Sequence, residues 1–136
     1  WYGTLLRVGT GTDLIYGLTT NGSQNPLGYR ANFEWYDSTF MGVDSDLGAY
    51  LQSEPTHIFA VISGTTLNFY INGQSAGSGT VSLPSNSSAG SLVVGGVFAS
   101  GRHFDGAIAS LRVYDRALTL EEIQQNFQII KPKYQL

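Results

Sequence analysis

From the first residues to about Phe104, apolar and polar side chains alternate with a period of two, and clusters of Gly, Asn, Ser and Pro cut the alternation into short runs. Successive residues of an extended strand point to opposite faces, so this pattern describes antiparallel strands joined by turns. The expected strands are 4–8, 14–19, 29–36, 57–63, 66–71, 79–83, 91–97 and 107–114. Run 29–36 shows the pattern best: Ala31, Phe33 and Trp35 alternate with Arg30, Asn32, Glu34 and Tyr36. A strand with one buried face places Trp35 in the core and Tyr36 at the surface.

The clearest local unit is 57–73. Ile58-Phe59-Ala60-Val61-Ile62 and Leu67-Asn68-Phe69-Tyr70-Ile71 flank Ser63-Gly64-Thr65-Thr66, which reads as a hairpin. Asn72-Gly73 then supplies the two residue types that best tolerate positive φ, sending the chain back through 74–81 as a third strand. Segment 85–91, rich in Ser, Asn and Gly, reads as an exposed, mobile loop.

One helix is legible. Thr119-Leu120-Glu121-Glu122 is a capping box, in which the Thr hydroxyl serves one free N–H and Glu122 reaches back to another. Leu118 and Ile123 form the matching hydrophobic staple, and Phe127 continues the same face, so the helix docks on a sheet. Pro132, between Lys131 and Lys133, is expected to stop the helix. The reading is thus one domain, 1–130, with a tail at 131–136. Its class is all-β, an antiparallel sandwich with one short C-terminal helix.

Composition narrows the function. Seven Lys and Arg against ten Asp and Glu give a net charge of −3. The basic residues are scattered, so nucleic acid has no positive field to meet. No apolar run approaches the roughly 20 residues that span a bilayer. With no cysteine there are no disulfides, thiolate metal sites or cysteine nucleophiles. The two histidines, His57 and His103, have no Gly-x-Ser-x-Gly elbow to work with and read as turn or surface residues. Gly9-Thr10-Gly11-Thr12 lacks the Lys and following helix of a phosphate cradle and reads as a turn.

Two segments resemble the laminin G-like and pentraxin-like members of the concanavalin A-like lectin/glucanase superfamily. The first runs from His57-Ile58-Phe59-Ala60-Val61 through Leu67-Asn68-Phe69-Tyr70-Ile71-Asn72-Gly73. The second is Phe104-Asp105-Gly106-Ala107-Ile108 through Tyr114-Asp115-Arg116-Ala117-Leu118, followed by Thr119-Leu120-Glu121-Glu122-Ile123. The resemblance implies a jelly-roll sandwich that binds or assembles, with a glycan or a protein surface as partner. It also implies an N-terminal strand region pairing with the final strand, and that region is short or absent ahead of Trp1. The open edge is then expected to be covered by further polypeptide, a neighbouring domain or another subunit, the last giving a homo-oligomer. Asn126-Phe127-Gln128 and Lys131-Pro132-Lys133-Tyr134 are similar to the ends of such domains in phage and large-virus structural proteins. The implied setting is extracellular or on a virion surface.

Glycoside hydrolases share this sandwich, so catalysis needs its own test. They require two facing carboxylates roughly 5–9 Å apart. Glu34 and Asp37, three apart on a strand, point to opposite faces, and Glu121-Glu122 opens a helix, where acids favour the dipole. No enzyme is expected. Sugar recognition needs an aromatic face beside amides and carboxylates. Asn32, Glu34 and Tyr36 share one strand face with Arg30, Asn68 and Tyr70 share another, and Arg102 and His103 stand in a loop. These are the candidate ligand contacts. Calcium, which many relatives bind at the sandwich rim, would find Asp44 and Asp46 at alternate positions of a polar loop. The alternative role is purely structural, holding subunits together without a small ligand.

Overall fold

The computed structural model describes residues 2–10, 13–21, 30–37, 39–46, 54–82, 90–96 and 103–136. Among the described residues, eight strands and one helix follow in order: β1 (Tyr2–Thr10), β2 (Asp13–Asn21), β3 (Arg30–Asp37), β4 (Thr39–Asp44), β5 (Ile58–Ser63), β6 (Thr66–Ile71), β7 (Gln74–Thr80), β8 (Ser91–Val94) and α1 (Leu120–Tyr134). They make two antiparallel sheets, ordered β4-β3-β2-β1-β8 and β5-β6-β7. This is the expected sandwich with a C-terminal helix.

The alternation sets what lies between the sheets. Ala31, Phe33 and Trp35 of β3 face Leu67, Phe69 and Ile71 of β6, all of them buried, with Tyr16, Leu18 and Val43 packed around them. Trp35 is 2% exposed and its neighbour Tyr36 43%, as the period-two reading requires. On the other side of the second sheet, Phe59, Val61 and Tyr70 meet Leu118 and Ile123, so α1 covers that outer face.

Both local motifs form as read. Asn72 (φ 51°) and Gly73 (φ 76°) take the left-handed turn between β6 and β7. Gly73 is needed twice over, since a Cβ there would come within 2.9 Å of the Phe127 ring. At the helix start the Glu122 N–H donates to Thr119 Oγ1 at 3.3 Å, and the Thr119 N–H donates to Glu122 Oε2 at 2.9 Å. Arg116 adds a second clamp the sequence did not reveal, donating to both Glu122 oxygens at 2.8 and 2.6 Å. That guanidinium, with the Thr119 N–H, holds the Glu122 carboxyl down to about 2.

Four expectations are corrected. Pro132 does not stop the helix, which runs on to Tyr134 and closes on Gln135 in the left-handed conformation. A proline this close to the end removes a single backbone bond, and Lys131 and Lys133 in the last turn favour the dipole. The assigned tail is therefore mostly helix. Residues 107–114 form no strand: they pair with neither sheet, although Tyr114 lies against Phe59 of β5. Of the two spans expected here, 74–81 and 79–83, the strand follows the first, Gln74–Thr80, since the Asn72-Gly73 turn sets its start directly. Finally, β4 was missed. Its Phe40, Met41 and Val43 follow β3 so closely in sequence that no Gly or Pro cluster separates the two strands. The 85–91 loop falls largely outside the described residues.

Candidate recognition face

The outer face of the first sheet collects much of the chemistry foreseen for a binding site. Inward Ala31, Phe33 and Trp35 force Arg30, Asn32, Glu34 and Tyr36 outward. Pairing then decides their company. Asn32 stands opposite Thr19 on β2 and Asp44 on β4, and Tyr36 stands opposite Phe40.

At one end the polar groups hold one another in place. Asn32 Nδ2 donates to Asp44 Oδ1 at 2.8 Å, Thr19 Oγ1 donates to Asn32 Oδ1 at 3.3 Å, and Arg30 Nη1 pairs with Asp44 Oδ2 at 3.4 Å. At the other end Tyr36 and Phe40 pack edge to face with ring centroids 5.3 Å apart. Phe40 is 69% exposed. An aromatic pair so open, with a fixed amide and an ion pair further along the same strands, can stack an apolar surface and hydrogen-bond a polar one. Phe40 is the residue of this face that sequence reading missed, and its signal was the alternation Phe40, Gly42, Asp44 against Met41 and Val43.

The remaining candidates lie elsewhere. Asn68 and Tyr70 belong to the outer face of the second sheet, where Tyr70 packs under α1. His103 is exposed and bridges to Thr4, past the end of β8 and three strands away from β4. Arg102 lies outside the described residues. The foreseen contacts therefore divide over three places, and Asn32, Glu34 and Tyr36 are the ones brought together.

Asp44 and Asp46 diverge. Asp44 closes β4 with both carboxylate oxygens engaged, whereas the Asp46 N–H donates to Ala76 O and its carboxylate lies against Gly77 of β7. A calcium ion takes six to eight oxygens, and at Asp44 it would have to displace a guanidinium. As folded, the pair does not fit such a site. Among the described residues no group of three or more His, Asp or Glu gathers around a common point.

His57 is not a surface residue. Its ring is stacked on Phe127 at 5.9 Å and meets Phe59 edge-on at 4.7 Å. Burial pushes its pKa below the ordinary histidine value, and Arg112 adds to the shift. The histidine belongs to the seam between α1 and the second sheet.

A family model described as the concanavalin A-like lectin/glucanases superfamily matches residues 3–124. The chain belongs to this superfamily. Within the superfamily domain, the match spans both sheets and reaches into α1, so the two motif segments are parts of one continuous likeness. No curated protein matches the chain. Among solved structures the chain is similar to a crystal structure of an S-layer domain-containing protein, residues 221–444, from Clostridium thermocellum, at 23% identity and a TM-score of 0.47. That likeness covers 88% of this chain and 58% of the other, so the domain spans little more than half of it.

Proposed function

We propose that the domain is a non-catalytic recognition module working outside the cell, on a cell surface or a virion, that grips a glycan or protein surface with the outer face of β3 and β4. The observation that carries the reading is the exposed Tyr36–Phe40 pair at one end of a prearranged polar row. A pyranose has apolar faces and hydroxyl edges, and this face offers rings for the first and Asn32, Glu34, Arg30 and Asp44 for the second. From Tyr36 to Asn32 the strand advances about 13 Å, room for more than one sugar ring.

A glycan array tests this directly. Reproducible binding that disappears in both Tyr36→Ala and Phe40→Ala is expected, with melting temperatures unchanged because both rings face solvent. A blank array from well-folded protein would return the domain to the alternative role, a structural contact without a small ligand.

A further inference from the structure

Where α1 meets the turn between β6 and β7, the two elements leave a groove of about 490 Å³, within the size range of small-ligand sites. Its position follows from the packing of the helix. Ile123 and Phe127 are the buried residues of α1, and Phe127 lies against Gly73 of the turn. Residues three or four apart share a side of a helix, so Gln124, Gln128 and Lys131 follow one another along the border of that contact, with Gln125 beside them. The turn supplies Asn72 and Gln74.

This lining is unlike the rest of the surface. Four of the chain's seven glutamines stand here, and no carboxylate does. Among the described residues none of these four side chains has a hydrogen-bond partner. Asn72 is held by its Oδ1, which accepts the His57 N–H at 2.9 Å. Lys131 Nζ stands 5.7 Å from the centre of the Phe127 ring and is in no ion pair with a described carboxylate.

A carboxamide both donates and accepts, as a hydroxyl does, so a row of unengaged carboxamides matches a ligand rich in hydroxyls. A single ammonium in a groove without acids adds a place for one negative charge. We propose that the groove binds a saccharide bearing a carboxylate, with the glutamines on its hydroxyls and Lys131 on its charge. A peptide offers donors, acceptors and a terminal carboxylate too. An extended peptide, however, is gripped through its main chain by a strand edge with pockets for alternate side chains, and the walls here are amide side chains of a helix and a turn. Because α1 covers the outer face of the second sheet, the groove and the Tyr36–Phe40 pair lie on opposite sides of the sandwich, and neither reading rests on the other.

NMR titration of the isotope-labelled chain, followed through its side-chain amide signals, is the test. The probes are trigalacturonate and sialyllactose, each paired with an uncharged counterpart, the methyl ester of the first and lactose for the second. Saturable shifts of the Gln74, Gln124, Gln125 and Gln128 signals are expected at millimolar acidic saccharide, with about tenfold weaker binding of the neutral partner. Lys131→Met should abolish that preference, while Gln125→Ala should weaken both members of a pair alike. Both side chains are exposed, so the remaining signals should stay in place and show that the variants are folded. Tyr36→Ala should leave the titration unchanged. No saturable shift with either acidic probe overturns the proposal, as does equal affinity for charged and neutral saccharides or a preference that survives Lys131→Met. A short peptide with a free carboxyl end that moves the same signals at lower concentration than either saccharide overturns it in favour of a peptide site.

Discussion

The β3 side and the β8 side of the first sheet are built from the same alternation and end in different states. On β3 the inward residues are 0, 7 and 2% exposed, while the inward residues of β8 are 53 and 46% exposed. The difference does not lie in hydrophobicity, since Leu92 and Val94 are as apolar as Ala31 and Phe33. It lies in whether a second layer stands opposite: β6 and β7 cover β3 and β4, and no described strand beyond β5 covers β1 and β8. An alternating strand specifies which face seeks burial, and a separate part of the chain has to provide it.

The strongest way to break this comparison is to empty one position on each side. Phe69→Ala, at a ring wholly out of solvent, should cost about 3–5 kcal/mol in urea unfolding, against less than about 1 kcal/mol for Val94→Ala in dilute protein. Equal costs would mean that the β8 side is as well packed as the core.

The α1 seam falls between these extremes and sharpens the comparison. Phe127 is 8% exposed and touches the Asn72-Gly73 turn and His57, so Phe127→Ala should cost about 3 kcal/mol or more. Losing the cap through Thr119→Ala should cost about 1 kcal/mol, because the Arg116 clamp on Glu122 remains. Equal urea midpoints, or a larger effect at Thr119, would show that the helix is not docked through Phe127.

The smallest expected effect is a pH dependence. The folded state holds the His57 pKa below its unfolded value of 6.5, so the unfolded chain takes up a proton first as the pH falls. Stability from this site is therefore complete above about pH 6.5 and declines below it, toward the folded pKa. Glu122 acts in a lower window, its contribution being lost only as the pH falls from 4.5 toward about 2. Thermal melts from neutral to mildly acidic pH should show a fall in melting temperature that His57→Gln removes. A fall of the same size in the variant would place its origin elsewhere.

Much of the candidate face was legible from run 29–36, because strand periodicity alone puts Asn32, Glu34 and Tyr36 on one side. Phe40 and Asp44 were not, since they join that face only through the register of β3 with β4. Asn68 and Tyr70 also share a face, as their spacing required, but which sheet and which cover they received depended on α1. His57 shows the same limit. A histidine at the start of a strand reads as a surface residue until a helix from 70 positions further along lays Phe127 across it.

The sequence by itself determined what is settled within a few residues: the strand alternation, the left-handed Asn72-Gly73 turn and the Thr119–Glu122 capping box. Each depends on backbone geometry or on bonds spanning three or four positions, so its residues carry the whole instruction. The tertiary structure alone decided whether 107–114 became a strand and whether Leu92 and Val94 were buried. Strand pairing and burial both require a partner surface from distant parts of the chain, and a local run of residues states only the need for one.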